Sequence, residues 1–275
     1  MNIVYIKITS ILILLYLIMN FFEKSHTFAG SGGNDTTNSA SIDITNIKIE
    51  NKAFKVGEKF TFSIDYGPIQ AGIATISVVD KINFKERECY HIVSEAFSSE
   101  PFSIIFKVED RVESIIDAQG IFSWKIEKHI HEGRYHSDKY YILDYINNIA
   151  YSVDDTVKLS FLVQDALSIL FYLRTQKLEV GKSVIIQHFD NGKFYELEVK
   201  VLEKKKIKVK AGIFDTILVE PLMTSVGVFK RGGGIRVWVT NDEKKMPVKM
   251  STKIYLGPIG LGSINANLIK YEGVD

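Results

Sequence analysis

DNGKFYELEVKV, residues 190–201, carries the two signals on which the fold reading turns. Asn191-Gly192 tolerates the positive φ angles that a two-residue hairpin turn demands. Leu197, Val199 and Val201 then alternate with Glu196, Glu198 and Lys200, as in a strand with one wet face and one buried face. HEGRY, residues 131–135, repeats the turn chemistry. Working outward, β-branched and aromatic runs broken by glycine, asparagine and aspartate fall at 60–66, 71–79, 89–96, 104–116, 122–131, 134–143 and 149–153. Others follow at 184–189, 194–202, 214–222, 235–240, 248–254 and 263–271. About a dozen short strands so spaced predict a mainly β chain, folded as an antiparallel β-barrel or spiral β-roll. No Pro/Ser-rich linker interrupts residues 51–275, which are read as one domain.

One segment breaks the pattern. FLVQDALSILFYLRT, residues 161–175, reads as an apolar helix over about 164–174. Asp165 near its start and Arg174 near its end complement the helix dipole. Apolar on almost every side and too short to span a bilayer, it is expected to pack on or in the barrel. Asp165, Leu167, Leu170, Phe171 and Arg174 are the candidate cavity residues. Gly232, Gly233 and Gly234, in RGGGIRVW, are the candidates for a loop at the cavity mouth. They lead into a strand, whereas a phosphate loop leads into a helix.

The N-terminus has the three parts of a secretory signal: Lys7, the uncharged run of residues 8–22, and the small-residue site ending at Ala29. Residues 1–29 are therefore read as a signal peptide, and 30–50 as a flexible polar leader. The signal segment is then the chain's one membrane contact, made before cleavage. Without residues 1–29 the formal charge falls from +1 to 0, which argues against a nucleic-acid partner. Cys89 is the sole cysteine, so stability must come from the core.

No Gly-x-Ser-x-Gly elbow, His-Glu-x-x-His helix or dinucleotide-binding glycine motif occurs. Glu127, His129 and His131 share one strand face with His136 across the hairpin, a conceivable metal set that also fits a solvated hairpin face. Cys89 and His91 share another strand face, where a small buried hydrophobe is the simpler account of the thiol. EKKKIKVKAG, residues 203–212, could meet anionic headgroups, but lysines on a sheet edge also prevent edge-to-edge aggregation. No cofactor and no catalytic residue is expected.

The order of short motifs resembles the bacterial family known as domain of unknown function 3108. These are Val56-Gly57-Glu58 before a strand ending at Tyr66, Ala71-Gly72, Asp165-Ala166-Leu167-Ser168 through Arg174, Ala211 to Thr216, Val237 to Thr240 with Asp242, Pro247-Val248-Lys249, and Gly262-Ser263-Ile264. The resemblance spans about residues 53–271. It implies export to a Gram-negative envelope and a β-barrel or roll, and it brings no activity. The expectation is a periplasmic, non-catalytic protein that binds a lipid or other amphipathic envelope component in a β-barrel cavity. The alternatives are an assembly scaffold with an envelope protein partner and, third, a metal-dependent hydrolase on the histidine hairpin.

Overall fold

The structure, a computed structural model, describes residues 42, 44–104, 106–223, 234–256 and 259–274. The signal segment, most of the leader, Gly232 and Gly233 lie outside these residues.

Eight strands run from the middle of the sheet to one edge: β1 (Lys59–Tyr66), β2 (Ile69–Phe84), β3 (Arg87–Ser98), β4 (Glu109–Asp117), β5 (Ser123–Glu132), β6 (Tyr135–Asp144), β7 (Ile149–Tyr151) and β8 (Thr156–Lys158). Six more return from the opposite edge: β9 (Ser183–Asp190), β10 (Lys193–Val209), β11 (Gly212–Met223), β12 (Arg236–Thr240), β13 (Pro247–Leu256) and β14 (Ile259–Glu272). All belong to one antiparallel sheet, ordered β8 to β1 and then β14 to β9. Every sheet neighbour is a sequence neighbour except β1 and β14. The connection from β8 to β9 must therefore pass from one edge of the sheet to the other. That connection holds α2 (Ser168–Thr175), which explains why a β chain keeps one apolar helix: it is the crossover, and it crosses through the interior.

The two edges curl toward each other but share no ladder. Instead the crossover strand-like residues fill the seam. Val163 accepts a bond from the Ser123 N–H of β5, and Gln164 exchanges two backbone bonds with β9, from its N–H to Gln187 O and from Phe189 N–H to its own carbonyl. A buried Lys128–Asp190 ion pair joins β5 to β9 across the same seam. The fold is thus a roll closed by its own crossover.

The hairpin reading of residues 190–201 holds: Asn191 and Gly192 have φ +46° and +75°, and Leu197, Val199 and Val201 are buried. Two expectations need correction. The helix begins at Ser168, not near 164, because Gln164 is held in extended pairing with β9 and Asp165 closes a turn on the N–H groups of Leu167 and Ser168. The expected strand from 104 begins only at Glu109, and Glu100–Ser103 forms a short helical turn, α1. Pro101 favours that turn, since the first helical positions leave their N–H groups unbonded anyway.

The core has three parts. The largest gathers Phe60, Phe62 and Ile64 of β1 with β2 to β5, β13 and β14, and receives Phe171 of the helix. A second gathers Ile169 and Leu173 with β9 to β12. A third surrounds Trp124, Phe122 and Tyr145. The helix is wedged between the first two.

Candidate functional site

α2 is short and depends on tertiary packing for its stability. Phe171 contacts the Phe54 ring at 4.9 Å on one side, while Ile169 and Leu173 face β9 to β12 on the other. Between the helix and strands β10 to β13 lies an apolar cavity of about 70 Å³. Leu170, Leu173, Leu197, Val219, Val237 and Met250 supply much of its wall. Ile235, next to Gly234, also lines it, so the described end of the β11–β12 connection does reach the cavity. The interior is filled by the helix and is not an open calyx.

Of the five helix candidates, Leu167, Leu170 and Arg174 line this cavity, and Phe171 points into the main core. Asp165 lies in neither place. Its carboxylate is fully buried and accepts bonds from Ser114 Oγ, Ser123 Oγ and the N–H groups of Leu167 and Ser168. It ties the entry of the helix to β4 and β5. Burial pushes its carboxyl up, against the pull of those four donors.

Arg174 does lie in the last turn of the helix, where its charge suits the dipole, but the dipole is not its main partner. Its guanidinium is fully buried and bonded to both oxygens of Glu58 at 2.8 and 3.1 Å, and also to Ala53 O at 2.8 Å and Lys244 O at 2.9 Å. Phe54, Phe60 and Phe171 surround it at 5.3–5.5 Å. Burial pulls its pKa down, and the Glu58 carboxylate offsets part of that. The pair joins residue 58, just before β1, to the end of the helix. Sequence reading placed Glu58 in the Val56-Gly57-Glu58 motif but missed its role, because its partner lies 116 residues away.

A second buried acid site also escaped notice. Asp110 on β4 and Glu132 at the end of β5 are 4% and 1% exposed, with their side chains hydrogen-bonded to each other. Two buried carboxyl groups side by side disfavour both being charged at once. Asp110 also accepts from the His131 N–H. Burial raises its carboxyl to about 6.

The histidine hairpin is a set of solvated ion pairs. His129 bonds Asp138 through Nδ1 at 2.6 Å and Glu127 through Nε2 at 3.2 Å, while the His131 and His136 rings pack edge to face at 4.9 Å. Among the described residues no group of three or more His, Cys, Asp or Glu could hold a metal ion. His129→Ala and His131→Ala are each expected to change stability by less than about 0.5 kcal/mol, as befits surface positions, measured by urea denaturation. Cys89 and His91 form no dyad. The thiol is buried, bonds to Arg87 O and is pushed up to about 12, while His91 bonds Glu113 at 2.6 Å. In the lysine run, β10 pairs with β9 only up to Lys200, so residues 203–209 have β11 alone as a ladder partner. The run does lie along a free strand edge.

A single antiparallel sheet rolled around its own crossover helix, with the buried Arg174–Glu58 and Lys128–Asp190 charges paired and an apolar cavity at the helix, defines a β-barrel-like roll. The chain belongs to the family described as "Protein of unknown function (DUF3108)", whose profile matches residues 61–261. No curated protein is detectably similar in sequence. Among solved structures, a β-barrel-like protein of domain of unknown function DUF1849 from Brucella abortus is similar over 80% of this chain and 98% of its own. Its TM-score is 0.55 and its identity 12%, a likeness of fold alone. A Bacteroides fragilis protein with a YmcC-like fold covers 82% of this chain and 99% of its own at 11% identity. Its TM-score of 0.30 is too low to carry an argument.

Proposed function

We propose that the protein is an exported, non-catalytic envelope protein that takes the apolar end of an amphipathic molecule into the cavity beside α2. The observation that carries this reading is the cavity wall, which is built almost wholly from aliphatic side chains of the helix and of β10 to β13. Export rests on the signal-like N-terminus. At about 70 Å³ the cavity is about half the size of an engineered apolar cavity of about 150 Å³ that admits benzene. It suits the last few carbons of a chain, with the rest of the ligand outside. An apolar wall also keeps water out, so the cavity's occupant gains by dispersion and desolvation alone.

Gentle purification followed by mass spectrometry of extracted lipids tests the reading directly, with cis-parinaric acid as the added probe. Val237→Phe should fill the cavity and weaken probe binding about tenfold, the loss of roughly one or two buried methylenes' worth of contact. Leu170→Phe, from the helix side, guards against a variant that fails to fold. Absence of co-purifying lipid together with unchanged probe affinity in both variants would overturn the proposal.

One observation favours the scaffold reading. Ile69, Phe97 and Ile104 are 56%, 47% and 88% exposed. Ser99 bonds to Ala71 O and Gln70 O, which brings them to one end of the roll. Photo-crosslinking from position 104 in cells discriminates: one stoichiometric protein adduct moves the assignment to an assembly role.

A further inference from the structure

A larger concavity lies elsewhere among the described residues. Strand parity sends Phe62 and Ile64 of β1 into the core and Ser63 and Asp65 to the opposite face. There they border a groove of about 770 Å³ together with Asn267 of β14. Unlike the cavity at α2, this volume falls in the range of small-molecule sites, roughly 300–1,000 Å³. Its far wall is the end of β10 and the turn beyond it, with Lys208 and Lys210.

The chemistry of the two walls differs. On one, Ser63 Oγ and Asn267 Nδ2 both donate to Asp65 Oδ2, at 2.9 and 2.8 Å. Those two bonds fix the carboxylate while leaving Oδ1 and the Asn267 side-chain oxygen as acceptors. A fixed carboxylate beside an amide suits hydroxyl donors, and it repels a bare anion. On the other wall, Lys208 and Lys210 are exposed, with no ion-pair partner among the described residues. They continue the lysine run that begins at Lys204, so that wall attracts anions. Ile73 and Ile269 add apolar surface to the groove, against which C–H groups can lie.

We propose that this groove is a binding site for an anionic sugar, whether free or as a lipid headgroup, with Asp65 and Asn267 taking hydroxyls while Lys208 and Lys210 take the anionic group. The site is independent of the α2 cavity and rests on different residues.

Calorimetric titration at low ionic strength, where exposed lysines are least screened, uses glucose 1-phosphate, glucose and inorganic phosphate as probes. Glucose 1-phosphate is expected to bind about tenfold or more tightly than either of the others, since only it engages both walls, and a bond to a charged group is worth roughly that factor. Lys208→Gln with Lys210→Gln, at exposed positions that leave the fold intact, should weaken it at least about fivefold. Asp65→Asn should weaken glucose 1-phosphate while leaving inorganic phosphate no weaker, since it removes a charge that repels the bare anion. Val237→Phe should change none of these. Sedimentation with phosphatidylinositol-containing vesicles, against phosphatidylcholine alone, assigns a lipid-borne source if the protein co-sediments and a free sugar if it does not. Equal affinity for inorganic phosphate and the sugar phosphate would overturn the proposal, as would no binding of any of the three.

Discussion

Glu58→Gln is expected to lower stability by about 3–5 kcal/mol, because it leaves the Arg174 guanidinium buried with its charge uncompensated. Neither side chain can reach water to recover the loss: Arg174 is 0% and Glu58 1% exposed. Arg174→Met should cost a similar amount through the carboxylate left behind. Removing both charges, as Glu58→Gln with Arg174→Met, should recover much of it, since an apolar pair in place of a buried ion pair is often near neutral. Urea denaturation reads this as a lower midpoint with unchanged slope in the single variants and a restored midpoint in the double. A single-variant loss below about 1 kcal/mol would show that the pair does not hold the crossover to β1. The same variants bear on function, because Arg174 also lines the cavity and Lys245 Nζ bonds its carbonyl at 3.1 Å. If the helix end loosens, cis-parinaric acid should bind more weakly in the single variants and recover in the double.

The second large effect is the pH dependence that Asp110 contributes. Its carboxyl lies at about 6 in the folded protein against an ordinary 3.8, so the folded chain holds a proton that the unfolded chain has released. Raising the pH then favours unfolding. The contribution is full below about pH 4 and is lost as the pH rises to about 6, a total of about 3 kcal/mol. Asp110→Asn keeps the shape, removes the titration, and should leave the protein more stable than the parent at neutral pH by up to that amount. His188 runs the other way. It is fully buried and lowered by burial to about 4, so its contribution is present at neutral pH and lost as the pH falls from about 6.5. Asp165, whose carboxyl burial also pushes up, adds to the Asp110 slope, so the parent's own curve mixes several buried groups. The difference between Asp110→Asn and parent, measured by denaturant titration between about pH 4 and 8, is therefore the informative quantity. A difference that does not change with pH would mean that burial does not hold Asp110 protonated.

Residues of one short span could be read from sequence because their signals are local. The Asn191-Gly192 turn follows from the positive φ that asparagine and glycine tolerate. The burial of Leu197, Val199 and Val201 follows from the twofold period of a strand. The crossover helix stood out by its different period, and Leu167, Leu170 and Arg174 line the cavity beside it. Where reading stopped at a boundary, the cause was tertiary. Gln164 fits a helix by composition, yet the β9 edge needed a backbone partner and took it.

The sequence by itself determined most of the strands, their turns, the single apolar helix and the family, because periodicity, turn chemistry and motif order are written along the chain. Only the tertiary structure decided what the charges are for. Arg174 meets Glu58, Asp110 meets Glu132, Lys128 meets Asp190, and Asp65 meets Asn267, each joining different strands or a strand and the helix. Partners far apart in the chain leave no periodic trace, and the free energy of a buried charge is set by what the fold places within about 4 Å of it. The same reason separates the two concavities. The helix fills the interior and leaves a small apolar cavity, while a face that sequence marks only as polar becomes the larger groove once the lysine-bearing end of β10 is brought beside it.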